Sequence, residues 1–516
     1  MADTSTQNAQ RMTGLPELPP AARAYRDALP PGRFVGFPLQ GLDRTGVKAW
    51  KVALFLDDAG AMPGNLPSGY GYGFDDDTAI IGAFAEIAEA ILPTLRLMKE
   101  PRWIGSYSEL LRERGESGIV DPLTLCLPAG SPVTRDTPLA WIEARRRRTD
   151  EPVLVPMDVA ATDTFELPEG YQPFTTLITN GLGAGPDLDW AIGHGLLELL
   201  QRDGNGLGFR ALDRGEVLEI DEGDLDDETR ALLHHLDASG IEVIPKFATD
   251  AFGLANVYVV GFDRPGSGPR EPIMLSACGE ACDPDRRVAL RKALLEFCSA
   301  RVRKAYAHGR MSEARAVAPA GFIEDFLANA MPSLVGGESR AFTAMRDWAT
   351  RPADDLRAAL EGTVYDRRAT KRFADLPATP LATSREKGRF AAEALEAQGF
   401  DVLVVNGSPT DGSVGVAKVI VPGLEVETMS YYRIGERNAR RLIESGSDLI
   451  RFGEESETLR PVRLTPQALE RLGGRQPLLD TAAVDRAVGP LYPLYREPEA
   501  LHVAWSLETD GSAHPS

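Results

Sequence analysis

Two glutamates three positions apart, Glu86 and Glu89, lie in a stretch where Ile80, Phe84, Ile87 and Ile91 recur at helical spacing. That spacing puts both carboxylates on one helix face. Glu198 repeats the arrangement in a second apolar-periodic stretch, 190–200, followed by Gln201, Arg202 and Asp203, and Glu296 repeats it in a third with Ser299 and Arg301. Like charges held together in a cleft raise each other's pKa, and a divalent magnesium ion, which prefers hard oxygen ligands alongside phosphate oxygens, offsets the repulsion. Glu86, Glu89, Glu198 and Glu296 therefore suit a magnesium–nucleotide site. A single such pair is more often surface decoration; three repetitions weaken that reading.

Each stretch is entered in the same way. SGYGYGF, with Gly69, Gly71 and Gly73, opens into Asp75, Asp76, Asp77 and Thr78; Gly181, Gly183 and Gly185 lead through Asp187 and Asp189; Gly279 and Glu280 lead through Asp283 and Asp285. The acidic clusters supply acceptors for the unpaired N–H groups of a helix start, so each glycine loop is expected to feed directly into a helix. The glycines would admit a phosphate, and the helix starts would offer it N–H groups. Pro93 is expected to end or kink the first helix. Three such passages point to one composite site rather than three domains.

The remaining chain reads as an α/β, mixed α+β protein. A strand is expected at 47–56, with Trp50, Val52, Leu54 and Leu56 on one face. Further strands are expected at 241–244, 257–260, 401–405 and 416–421, mainly helix at 311–360, and a peripheral helix with a tail in the last fifty residues. Residues 1–35, rich in proline, read as an N-terminal arm, 36–450 as the core, and 451–516 as a C-terminal helix and tail.

A length of 516 residues with 43% hydrophobic and 26% charged residues is ordinary for a globular chain. The net charge of −20 argues against a nucleic-acid partner. No apolar run for a signal peptide occurs in the first thirty residues and the later apolar segments read as strand-sized, so no membrane partner and a cytoplasmic location are expected. Cys126, Cys278, Cys282 and Cys298 form no disulfide framework and read as passive thiols rather than zinc ligands. The run Arg145 to Arg148 reads as a solvated face, with peptide or partner docking as the sharper alternative. GxxxxGK[ST], GxSxG and HExxH are all absent.

NGLGAGPDLDWAIGHGLLELLQRDG (180–204) resembles the central signature of YcaO-family proteins. GLDRTGV (41–47) is similar to the family's Leu-Asp-Arg segment, GYGFDDDTAIIGAFAEIAEA (71–90) to its Gly-Lys-Gly turn and glutamate helix, GEACDPDRRVALRKALLEFCSAR (279–301) to its later Glu/Gln/Arg helix, and IVPGLE (420–425), followed by Gly435 and Arg437, to its C-terminal passage. The resemblance covers most of 35–445 in the family's order. It implies a large α/β fold that binds ATP and Mg2+ between glutamate-bearing helices and activates a peptide backbone amide by phosphorylating its oxygen, after which a nucleophile adds to give an azoline, thioamide or amidine.

Carried onto this chain, the resemblance implies Glu86, Glu89 and Glu198 as metal-binding positions, and Gln201, Arg202, Glu296, Ser299 and Arg301 as positions around the nucleotide. This sequence departs from the pattern at five places: Tyr72 for Lys, Gly82 for Ser, Ala90 for Arg, Gln201 for Glu and Ser299 for Gln. The tail, Gly511 to Ser516, lacks the proline-rich ending of azoline-forming relatives. The expected partners are a ribosomally made precursor peptide and a separate leader-recognition or accessory protein, with a homodimer as the default assembly. The competing reading is a noncatalytic peptide-binding or scaffold relative.

Overall fold

The computed structural model describes residues 11–58, 60, 66–336, 338–426 and 429–511; the expectations for the first ten residues and for the tail 512–516 lie outside them. Three sheets carry the fold. The first has the order β1 (Arg11–Thr13), β2 (Gly32–Pro38), β3 (Lys48–Leu56), β4 (Ser68–Gly73). The second runs β5 (Trp103–Ser106), β6 (Pro138–Arg146), β14 (Leu403–Asn406), β15 (Gly415–Ile420), β8 (Leu182–Gly185), with β7 (Pro152–Pro156) paired to β6. The third runs β12 (Cys278–Asp283), β11 (Ala255–Asp263), β10 (Ile241–Thr249), β9 (Glu216–Glu219), β13 (Ala369–Arg372). A small sheet, β16 (Ile450–Arg451), β18 (Leu478–Asp480) and β17 (Leu459–Pro461), follows the core.

Each large sheet ends in an edge strand that runs straight into a long helix: β4 into α2 (Asp76–Leu97), β8 into α3 (Leu188–Asn205) and β12 into α4 (Arg286–His308). These are the three repeated passages. The glycine segments are strands, not loops, and their glycines face the helix. A Cβ on Gly71 would lie 1.7 Å from the carbonyl oxygen of Ala79, one on Gly183 2.1 Å from that of Ala191, and one on Gly279 2.0 Å from that of Ala293. The missing side chain lets a helix backbone rest directly on a strand, so these glycines serve packing rather than phosphate approach. The helix starts are likewise occupied, because Asp75 accepts from Thr78 N, Asp187 from Trp190 N and Asp285 from Arg287 N.

The strand at Lys48–Leu56 shows the expected alternation. Trp50, Val52 and Leu54 pack with Ile80, Phe84, Ile87 and Ile91 of α2, and with Ala22 and Tyr25 of α1 (Pro20–Ala28), a helix inside the stretch expected to be an arm. Ala49 and Ala53 face the other way, onto Val302, Ala305 and Tyr306 of α4. Pro93 does not end α2, which continues to Leu97. An interior proline costs about 3 kcal/mol; burial of Leu92 and Leu97, at roughly 1.5–3 kcal/mol each, offsets that cost, and the Thr94 hydroxyl donates to Glu166 at 2.9 Å. By length and composition α2 could cross a membrane, unlike the strand-sized segments expected, yet it is a core helix carrying two glutamates.

The last fifty residues are not peripheral: Leu501, Val503 and Leu507 are fully buried. The arginine run is consumed locally, Arg146 by Asp401 and Glu151, and Arg147 by Glu396. All four cysteines are free thiols.

Candidate active site

An edge strand leaves a row of backbone N–H groups without a partner strand. Here glutamates from the helices accept them. Glu86 takes the N–H of Tyr70 at 2.5 Å, Glu198 that of Gly181 at 2.9 Å, and Glu296 that of Glu280 at 2.8 Å. Glu89 crosses between units and accepts from Ala184 of β8 at 2.8 Å. One oxygen of each carboxylate is thus fixed to a strand edge; Glu86 lines one cavity and Glu296 the next, while Glu89 and Glu198 line neither and lie close enough to repel Glu86 or each other.

The electrostatics show that these carboxylates are neighbours. Burial first, and then the Glu198 and Glu86 carboxylates, push Glu89 up to about 8 against the Ala184 N–H. Burial raises Glu86 as well, against the Tyr70 N–H, Arg303 and Lys51, while Glu198 adds to the rise. Glu296 is pushed up to about 7 by burial and by neighbouring Glu280. Carboxylates in this condition favour a bound cation. Among the described residues no three acidic, His or Cys side chains close on a single point that an ion could occupy. Mg2+ fits such an open arrangement, since it is usually held by one or two carboxylates and takes its other oxygens from phosphates and water.

Arg202 reaches Glu280 at 3.3 Å and lies 3.8 Å from Glu198. Glu280 is further held by Arg210 at 3.1 Å and Asn205 at 3.1 Å, so this buried acid is matched. Two adjoining cavities follow. One, of 280 Å³, is lined by Ser68, Tyr70, Glu86, Arg303, Glu497 and Glu499 among others; the next, of 110 Å³, includes Arg202, Glu280, Glu296, Arg303 and Glu497. A larger cavity of 750 Å³ lies elsewhere, and three of its arginines are neutralised by the chain itself, Arg440 and Arg471 by Glu436, and Arg437 by Asp203.

Arg301 does not join the cleft. It is fully buried and bonded to Asp43 at 2.5 Å and Asp263 at 3.0 Å, while Arg44 also pairs with Asp263. The Leu-Asp-Arg segment and α4 are therefore locked by a quartet of matched charges. Gln201 and Ser299 line neither cavity; the Gln201 backbone carbonyl accepts from Asn256, and Ser299 is buried. Residues that the sequence reading missed are Lys51, Tyr70, Arg303 and Glu497. The signal for Arg303 was helix phase, because seven residues bring it about two turns along, onto the face of Glu296, whereas Arg301 lies about 200° away from Arg303.

A family model described as YcaO cyclodehydratase, ATP- and Mg2+-binding, matches residues 70–425. An uncharacterized protein from Methanothermobacter thermautotrophicus is 32% identical over 322 residues, which cover 62% of this chain and 73% of that one. Among solved structures, the fold is similar to YcaO from Methanopyrus kandleri bound with AMPPCP and Mg2+, at 20% identity and a TM-score of 0.52 over 80% of this chain and 91% of that one. It is also similar to a heterocyclase in complex with substrate and cofactor, at 17% identity and a TM-score of 0.57 over 83% of this chain and 54% of that one. With its glutamate-bearing strand–helix units and this match over more than half its length, the chain belongs to the YcaO family, the ATP- and Mg2+-binding cyclodehydratases.

Proposed function

We propose that this protein phosphorylates the oxygen of a peptide backbone amide, so that a nucleophile adds to the carbon and, as the C–O bond breaks, the amide oxygen departs within phosphate. The substrate is a ribosomally made precursor peptide, brought by a separate leader-recognition or accessory protein, and the setting is the cytoplasm. The observation that carries this reading is the set of carboxylates, Glu86, Glu89 and Glu198, each fixed by a strand-edge N–H, with Glu86 and Glu89 raised in pKa by burial and by the neighbouring Glu198. An amide oxygen is a poor leaving group and phosphate a good one, which is the reason for the activation.

Bound Mg2+-ATP supplies the phosphoryl group and neutralises the charge that develops on it. The chain's own residues do the rest. Glu86, Glu89 and Glu198 would offer oxygens to magnesium, no more than two of them to any one ion, each oriented by the N–H it accepts. Arg202 lies beside Glu198 and holds Glu280, and its charge opposes the rise that burial and Glu280 impose on Glu296. The described C-terminal passage brings Glu497 to the cavity wall, paired with Lys304 at 2.5 Å and His308 at 3.1 Å.

We also propose the division into an arm 1–35, a core 36–450 and a C-terminal segment 451–516. Glu86, Glu89, Glu198 and Glu296 fall in the second part, and Glu497 of the cavity wall in the third. A homodimer is the assembly to test first.

The test is incubation of the purified protein with a precursor peptide, ATP and Mg2+, followed by peptide mass spectrometry and phosphate release. Loss of water or exchange of sulfur for oxygen, with phosphate released, is the expected result. Peptide binding with an unchanged mass under every partner combination would favour the noncatalytic scaffold, for which the departures at Tyr72, Gly82, Ala90, Gln201 and Ser299 are the motive.

A further inference from the structure

Strand β3 pairs with β4 so that Lys51 stands opposite Tyr70 and Ala49 opposite Tyr72. Lys51 is fully buried, donates to Ser68 Oγ at 3.0 Å and lies 4.0 Å from the Tyr70 ring centroid. Arg303 of α4 lies 6.0 Å from the same ring centroid. Two basic side chains from different elements thus approach one tyrosine; Tyr70 and Arg303 line the 280 Å³ cavity, whereas Lys51 is sealed off from it and burial lowers its amine to about 7.

The donors there are not used up. Arg303 Nε and Tyr70 Oη are both buried and have no hydrogen-bond partner in the structure. A buried donor left unpaired costs about 1–3 kcal/mol, so two side by side on one cavity call for an acceptor. The charges facing them are Glu86 and Glu499 around Lys51, and Glu497, Glu86 and Glu296 around Arg303. Glu497 is already matched by Lys304 and His308. Glu86 belongs to the carboxylate set that a divalent ion would neutralise. What the cavity wall offers is donor N–H and O–H groups beside a metal-binding edge.

We propose that Tyr70 and Arg303 are the phosphate-holding donors of this chain's nucleotide site, with Lys51 against the Tyr70 ring as a positioning residue that adds from β3 to the positive charge that Tyr72 and Ala90 do not supply. The proposal rests on the nucleotide reading above and adds to it which side chains grip the phosphates. A polyphosphate has oxygens enough to accept from both at once, and charge-assisted bonds such as that from Arg303 are the strong ones.

Calorimetric titration with Mg2+-ATP tests it, on the full chain and on Arg303→Gln, Lys51→Met and Arg303→Lys. Lys51→Met fills the same space without charge, and thermal unfolding of each ligand-free variant checks that it is folded. The expected result is a loss of affinity of about tenfold or more in Arg303→Gln and in Lys51→Met, with part of it regained in Arg303→Lys. If the unaltered chain binds Mg2+-ATP and both charge-removing variants bind within about twofold of it, the assignment of these donors is overturned while the nucleotide reading stands. If the unaltered chain itself binds no Mg2+-ATP, the nucleotide reading falls and this inference with it.

Discussion

Helix α4 carries two charged regions built on opposite logic. On one face Arg301 closes a quartet with Asp43, Asp263 and Arg44, two positive and two negative groups in bonding contact. On the other, Glu296 and Arg303 belong with Glu86 and Glu89 to a region where buried carboxyls crowd one another, and burial and repulsion push Glu296 up to about 7 and Glu89 up to about 8. A matched set has nothing left to offer a ligand and serves to lock the Asp43–Arg44 segment against the core. An unmatched set costs stability until something of opposite charge arrives. Charge balance, more than burial, separates the structural cluster from the functional one.

The sharpest way to break this comparison is to remove one member of each set. Arg301→Ala leaves Asp43 and Asp263 buried and short of a partner, so denaturant unfolding is expected to show a loss of about 3–5 kcal/mol, with Mg2+-ATP affinity of the folded fraction unchanged. Glu86→Gln and Glu198→Gln do the reverse. Each keeps an acceptor for its strand N–H and leaves the unfolding midpoint close to the original, while magnesium-dependent turnover falls on the order of a hundredfold or more, about 3 kcal/mol of transition-state stabilisation. Full turnover in either variant would remove that residue from the metal role.

A third change tests the frame that positions both. Gly71→Ala drives a methyl into the Ala79 carbonyl and is expected to destabilise by about 1–3 kcal/mol in thermal or denaturant melts; no loss would mean that α2 does not rest on β4 as described.

The smallest effects are those of pH. Because the Glu89 carboxyl is raised from 4.5 to about 8 in the folded chain, the folded state holds a proton that the unfolded state releases between those values. Ligand-free stability therefore falls as pH rises across that window. Mg2+-ATP binding needs the ionised form, so affinity should rise toward pH 8 with proton release, read by titration in buffers of different ionisation enthalpy. Binding that is insensitive to pH between 6 and 8 would contradict the raised value.

Much of this was legible in the residues. The threefold passage of glycines, acidic start and helical glutamate was visible as a repeat, and alternation placed β3 correctly. What the glycines do was not, because glycine serves a phosphate loop and a strand under a helix equally well, and only three dimensions show which backbone comes within reach. Arg301 was chosen over Arg303 by resemblance to the family pattern, although helix phase alone sets Arg303 beside Glu296. Lys51 sits in the apolar run WKVALF and gave no sign that its amine ends beside Tyr70. Glu497 is about two hundred residues from the helix it meets, and no local pattern announces a contact of that range.

The central claim is that carboxylates from separate strand–helix units act on one ion in one cleft. A double-mutant cycle of Glu86→Gln and Glu198→Gln, read as calorimetric affinity for Mg2+-ATP, tests it most directly. Coupling on the order of 1 kcal/mol or more between the two changes is the predicted result. Strict additivity, or affinity untouched by both, would contradict it.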